Sequence, residues 1–273
     1  MGLVVFSDLD GTLLDHHTYS HAPAGPALAA LKAAGVALVL CSSKTRAEMV
    51  PLWWELGLNA PIISENGGGV FIPVGHGLTM LAGWRDAGSD WLGLALGLDI
   101  KEVRRRLASF AGRFGARGFG EMTDAEVAGL TGLTPEAAAL ARQREFNEPV
   151  LLPDAEGRNP EFAAQFAAAA AAAGLTATQG GRFWHVLSGA DKGRAVDLVA
   201  ALYRKLDPNL ITAGLGDAAN DLPLLKAVDR PFLVARPDGS HAPLDLPGLT
   251  RTTQPGPAGF NQAVLGLLDD LRR

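Results

Sequence analysis

A chain of 273 residues with 48% hydrophobic and 19% charged side chains has the composition of a folded protein of one or two domains, which excludes disorder as its general state. Lys and Arg number 24 against 29 Asp and Glu, a net charge of −5. That balance argues against a non-specific nucleic-acid binder and leaves any anionic ligand to local cations. The single cysteine, Cys41, excludes an internal disulfide, and no stretch approaches the ~20 apolar residues of a membrane span.

Residues 3–6 form a short apolar run that ends at acidic residues, the pattern of a buried parallel strand. Residues 23–34 carry Leu28 and Leu31 three apart with Gly35 behind them, which predicts a helix closed by a glycine. A second buried strand is expected over 36–41, with Cys41 as a packed thiol. A helix over 45–56, stopped by Gly57, and a third strand over 61–64 follow. The alternation predicts an α/β unit with a mainly parallel sheet.

After Gly67-Gly68-Gly69 the pattern changes. Residues 70–73 read as half of a hairpin, and helices are expected at 100–110, 123–130, 135–141 and 160–173. Strands are expected at 150–152 and 183–187, where His185 and the earlier pair Trp53-Trp54 read as packing residues. The middle third is therefore an α+β insertion. Alternation resumes near residue 188, with helices at 192–203 and 221–227, strands at 211–214 and 231–234, and a closing amphipathic helix at 258–273. The expected organisation is a core of residues 1–81 and 188–273 split by a second domain at 82–187. The N-terminus lacks a basic leader segment, so a cytoplasmic location is expected. Oligomeric state is not legible.

Asp8 and Asp10 stand two apart just after the first strand, and an extended backbone would project both carboxylates the same way. The carboxyl end of a parallel strand is where α/β sheets bind ligands. Two neighbouring carboxylates repel unless a cation lies between them, and oxygen ligands suit Mg²⁺.

The segment Phe6-Ser7-Asp8-Leu9-Asp10-Gly11-Thr12-Leu13-Leu14 resembles the first motif of the haloacid dehalogenase superfamily of phosphatases. The later motifs of that family follow in order: Ser42 (or Ser43) after the second strand, Lys192 in Asp191-Lys192-Gly193, and Gly216-Asp217-Ala218-Ala219-Asn220-Asp221. The resemblance implies a Rossmann-like core with an inserted C2-type cap, Mg²⁺ as cofactor and a small phosphorylated substrate, with neither nucleic acid nor membrane as partner. It also implies roles. Asp8 attacks phosphorus, Asp10 acts as acid and base, Ser42 binds a phosphoryl oxygen and Lys192 offsets charge. Asp8, Asp10 (through its backbone carbonyl) and Asp217 hold the metal, and Asn220 or Asp221 orients them. Glu65, Asn66 and Gly67 match a Glu-Asn-Gly segment of C2-capped members.

Within the superfamily, Ser42-Ser43-Lys44-Thr45-Arg46-Ala47-Glu48, the cap segment Arg142-Gln143-Arg144-Glu145-Phe146-Asn147-Glu148-Pro149 and Gly256-Pro257-Ala258-Gly259-Phe260 resemble the mannosyl-3-phosphoglycerate phosphatases. That resemblance implies a substrate with a phosphate, a carboxylate and a sugar. Arg142 or Arg144 would take the carboxylate, and Gln143 and Glu148 the sugar hydroxyls. Ser43, Lys44 and Ser188 complete the expected binding set. Open alternatives are a sucrose or hexose phosphatase, a phosphomannomutase-like enzyme, and a binding protein on a dead scaffold.

Overall fold

The computed structural model describes residues 2–78, 82–153, 159–180 and 182–272. The strands, in chain order, are β1 (Leu3–Ser7), β2 (Ala37–Cys41), β3 (Ile62–Ser64), β4 (Gly69–Pro73), β5 (Arg85–Asp86), β6 (Trp91–Ala95) and β7 (Arg117–Gly118). They continue with β8 (Glu148–Leu151), β9 (Thr176–Gly180), β10 (Phe183–Leu187), β11 (Ile211–Gly216), β12 (Arg230–Ala235) and β13 (Thr250–Pro255). The helices are α1 (Gly25–Ala33), α2 (Arg46–Glu55), α3 (Ile100–Ala108), α4 (Asp124–Thr131), α5 (Pro135–Ala141), α6 (Pro160–Ala172), α7 (Lys192–Arg204), α8 (Leu222–Lys226) and α9 (Gly256–Arg272). The end of the expected closing helix, Arg273, lies outside the described residues.

Nine strands form one sheet in the order β13-β12-β11-β1-β2-β3-β4-β6-β5. The six from β13 to β3 are parallel, and β4, β6 and β5 are added antiparallel. β1 lies in the middle and is buried on both faces, which is why its sequence is apolar without alternation. Its side chains still divide by the pleat. Leu3 and Val5 join the core under α1 and α9, while Val4 and Phe6 join the core under α7 and α8. Each such fully buried side chain contributes about 1.5–3 kcal/mol.

Residues 82–95, which the sequence reading put in the insertion, carry β5 and β6 on the edge of this sheet. Those strands were missed because Gly93 interrupts the apolar run. Phe71 on β4 fills the space of the absent side chain, since a Cβ at Gly93 would sit 2.9 Å from its ring.

A second sheet, β7-β8-β10-β9, is fully antiparallel. β10 alternates across it: Trp184 and Val186 pack with Ile100, Val103, Phe110 and Phe166 from α3, α6 and the turn between. Phe183 and His185 face the other way. The helix starts expected from sequence are present. Thr45 and Glu48 form a reciprocal cap on α2, Thr123 and Glu126 do so on α4, and Asp191 accepts from the Arg194 amide at the start of α7. No helix among the described residues is long and apolar enough to cross a membrane.

Candidate active site

The carboxyl ends of β1, β2, β3 and β11 lie side by side, because Ser7 is in register with Leu215 and Leu40, and Cys41 with Ile63. The chain builds outward from β1 in one direction through β2 and β3 and in the other through β11 and β12, so this edge is the topological switch point of the sheet. Asp8, Ser42, Glu65 and Asp217 each follow one of these strands.

The backbone of Asp8 donates to the Leu215 carbonyl at 2.9 Å and then turns tightly, with the Gly11 amide on Leu14 at 2.8 Å. Gly11 has φ +80°, and a Cβ there would meet Asp217 Oδ2 at 2.6 Å. Glycine at this position is therefore what lets the Asp217 carboxylate close onto the first loop. Lys192, at the start of α7, is 1% exposed and donates to Asp8 Oδ1 and Asp221 Oδ1, both at 2.6 Å. Asp221 Oδ2 accepts from the amides of Asp217 and Ala218, each at 3.1 Å. Gly67, with φ +91°, packs so closely on the Asp191 carbonyl that a Cβ would overlap it, which seats the start of α7 against the Glu65–Gly67 turn. Asn220 is half-buried in the single turn Ala219–Asp221.

Ser42 is buried. Its Oγ accepts from the Lys44 amide at 3.2 Å and its carbonyl accepts from the Asn66 amide at 2.9 Å. The Asp10 carboxylate pairs with a different lysine. Its Oδ2 lies 3.0 Å from Lys44 Nζ, and its Oδ1 has no partner among the described residues. Asp10 lines a cavity of about 160 Å³ whose walls also include Tyr19, Lys44, Arg144, Phe119, Phe183 and His185.

The structure brings only part of the expected binding set to that cavity. Ser43, Lys44 and Arg144 line it. Glu65 does not. Its buried carboxylate accepts from three successive amides, Glu145, Phe146 and Asn147, at 2.7–2.9 Å, and ties the cap segment to β3. Burial pushes its pKa up, against the pull of Arg144 and those amides. Arg142 is held by Asp124 and the Phe119 carbonyl, and Glu148 by Arg104 and the Gly120 amide, so both are consumed inside the second sheet's unit. Gln143 is exposed over a separate cleft beside Arg46 and Trp91. Ser188 donates to the Gly174 carbonyl at 3.1 Å and does not line the cavity. Asn66 Oδ1 is buried without a partner among the described residues.

Sequence reasoning missed Tyr19, Phe119 and Phe183 and took His185 for packing. The period of two in β10 separates Phe183 and His185 from Trp184 and Val186, and that signal was available. Burial and the nearby Arg144 push the His185 pKa down to about 3, so its ring is neutral, with Asn147 Nδ2 3.3 Å from Nδ1.

Residues 5–76 match the family of haloacid dehalogenase-like hydrolases. Over 268 residues, 97% of each chain, the protein is 40% identical to the glucosyl-3-phosphoglycerate/mannosyl-3-phosphoglycerate phosphatase of Methanococcoides burtonii. The chain belongs to the haloacid dehalogenase-like hydrolases. A relative of the same name from Persephonella marina is 36% identical to this hydrolase over 275 residues, 99% of each chain. The solved sucrose-phosphatase of Synechocystis sp. PCC6803, in complex with sucrose and phosphate, shares its fold. The two match with a TM-score of 0.62 over 100% of this chain and 99% of that one, at 15% identity.

In this hydrolase the residues at the switch point fit a cation. Among the described residues, Asp8, Asp217 and Asp221 each offer an oxygen, and these oxygens lie within 4.8 Å of one another. One ammonium, Lys192, faces these three carboxylates. Asp221 is already satisfied by Lys192 and two amides, so Asp8 and Asp217 are the better placed to bind. Burial and the Asp221 charge raise the Asp8 pKa, with Lys192 offsetting only part of this. The same two causes push Asp217 up to about 7. Burial alone would lower the Lys192 pKa, but Asp221 and Asp8 outweigh it and hold it above the usual lysine value.

A pH dependence follows. With a folded pKa of about 7 against 3.8 as its ordinary value, Asp217 binds more protons in the folded state. Its contribution to metal-free stability is complete below pH 4 and is lost as pH rises to 7. A divalent cation favours the ionised form and reverses that loss. The rise in Tm on adding a divalent cation is therefore expected to be several degrees larger at pH 8 than at pH 5.5, and Asp217→Asn, which leaves only the raised Asp8 to titrate, narrows the difference. Thermal scans with Mg²⁺ and with EDTA measure it, and an equal rise at both pH values contradicts the assignment.

Proposed function

We propose that this hydrolase removes phosphate from a glycosyl-3-phosphoglycerate, mannosyl-3-phosphoglycerate or its glucosyl counterpart, giving the glycosylglycerate and inorganic phosphate. The observation that carries the proposal is the full-length identity, 36% and 40%, to two relatives that bear this name. The geometry supports it: a buried lysine holds the Asp8 carboxylate, and Asp10, two residues on, lines a cavity with basic and aromatic walls.

In this reading the chain is a core made from its two ends and a cap inserted between them. We set the first boundary near residue 97, beyond β6, because β5 and β6 extend the core's sheet. Asp8 attacks phosphorus while Lys192 holds its Oδ1, and the ester P–O bond breaks. Asp10 gives its proton to the leaving oxygen. It then takes one from the water that attacks the aspartyl-phosphate, which frees phosphate and regenerates Asp8. The Ser42 hydroxyl donates to a phosphoryl oxygen, and Asp221 fixes Lys192 and the Asp217 loop. Mg²⁺, held by Asp8, Asp217 and the Asp10 carbonyl, would supply positive charge to the transferring phosphoryl group. The cap excludes water during the first step. The product is a compatible solute, and the single buried thiol suits a cytoplasmic site of action.

The test is phosphate release with Mg²⁺ from mannosyl- and glucosyl-3-phosphoglycerate, hexose phosphates and 3-phosphoglycerate. The glycosylated phosphoglycerates are expected to show the highest kcat/KM. Faster turnover of plain hexose phosphates overturns the substrate and leaves the phosphatase reading standing.

A further inference from the structure

The two arginines that sequence reasoning offered to a substrate carboxylate are both engaged elsewhere. Arg142 is bound to Asp124 and Phe119. Arg144 donates Nε to the Ala141 carbonyl at 2.7 Å and Nη1 to the Ser43 carbonyl at 2.8 Å, and its Nη2 lies 3.8 Å from Glu48. It braces cap against core. Among the described residues, the remaining lysine or arginine of the cavity is Lys44.

Lys44 is held by its backbone. Its amide is on Ser42 Oγ, and its carbonyl accepts from the Glu65 amide at 3.0 Å. Its Nζ reaches past Ser42 to Asp10 Oδ2 at 3.0 Å and lies over the Tyr19 ring, 5.0 Å from the centroid. An ammonium has three N–H donors, so this pairing leaves capacity for a ligand.

The geometry points to Lys44 as the residue that recognises a carboxylate next to the scissile ester. This inference rests on the substrate reading above. In a 3-phosphoglycerate ester the carboxyl carbon is three bonds from the ester oxygen. Asp10 must touch that oxygen to protonate it. A carboxylate so tethered arrives beside Asp10, where the Lys44 ammonium stands. A neutral-tailed sugar phosphate offers no such partner, and Lys44 then stays on Asp10 alone. The position immediately after the phosphate-binding serines therefore selects for an anionic leaving group, while the cap wall of Phe119, Phe183 and His185 is left to the sugar.

The experiment compares mannosyl-3-phosphoglycerate with its analogue in which the carboxylate is replaced by a hydroxymethyl group, for the wild type, Lys44→Met, Lys44→Arg and Arg144→Met. Lys44→Met is expected to lower kcat/KM on the carboxylated substrate by on the order of 100-fold, largely through KM, and on the analogue, where only the contact with Asp10 is lost, by a factor about ten times smaller. Lys44→Arg is expected to recover much of the preference, which a merely unfolded variant would not. Arg144→Met is expected to lower both substrates together. Equal losses on both substrates in Lys44→Met, or a selective loss in Arg144→Met alone, overturn the inference while the wild-type preference keeps the substrate reading. A wild type that turns over the analogue as well as the parent overturns the substrate reading first, and the role of Lys44 with it.

Discussion

Asp8→Asn is expected to reduce phosphate release by roughly 10⁴-fold or more, because the amide cannot form the aspartyl-phosphate and no other carboxylate occupies its place. The same change is expected to raise the thermal stability of the metal-free protein at neutral pH. Burial and the Asp221 charge raise the Asp8 pKa, so its ionisation opposes folding. The wild-type contribution is complete below the ordinary value of 3.8 and falls as pH rises toward the folded pKa. An asparagine carries no such dependence. The stability difference should therefore grow from near zero at pH 4 to a clear advantage for the variant at pH 8 in EDTA. Phosphate-release assays and chelated thermal scans measure the two effects. A variant that keeps a tenth of wild-type turnover would rule out Asp8 as the nucleophile. A variant equally or less stable at pH 8 would show that the carboxylate cluster is not under the repulsion described here.

The catalytic end of the molecule was legible because its chemistry is local in sequence. Asp8 and Asp10 follow an apolar run, Lys192 opens a helix, and the Asp217 motif follows β11, so the order of the family's motifs at these element ends predicted their convergence. The binding side was less legible because charge identity says nothing about occupancy. Glu65, Arg142 and Glu148 look like ligand groups in a string of letters, but each has its hydrogen-bonding capacity filled by amides, carbonyls or ions of the protein itself. A sequence names such donors and acceptors without pairing them. The missed strands have a different cause. β9 and β13 are sheet edges rich in threonine and glutamine, so one side of each lacks the apolar pattern that marks buried strands. β6 was hidden by Gly93, whose missing side chain is filled by Phe71 from the neighbouring strand.

Lys192→Met is the substitution expected to cost the most stability. The ammonium is 1% exposed and bonded at 2.6 Å to both Asp8 and Asp221, which are themselves buried. Methionine fills much of the volume and leaves the two carboxylates facing each other without a counter-charge. Breaking a buried ionic group by removing one partner costs about 3–5 kcal/mol. A loss of that size moves the metal-free unfolding midpoint by on the order of 10 °C in a chain of this length. Turnover should also fall by on the order of 10³-fold, since the charge that steadies Asp8 and the phosphoryl oxygens is gone. Two controls separate charge from packing. The penalty should shrink as pH falls toward 4, where protonation of Asp8, whose pKa burial raises, removes the repulsion. It should shrink again in Lys192→Met/Asp221→Asn, where one of the stranded charges is removed. A penalty constant across pH and unchanged in the double variant would assign the loss to the shape of the cavity around Lys192, leaving its ion pairs without a net role in stability.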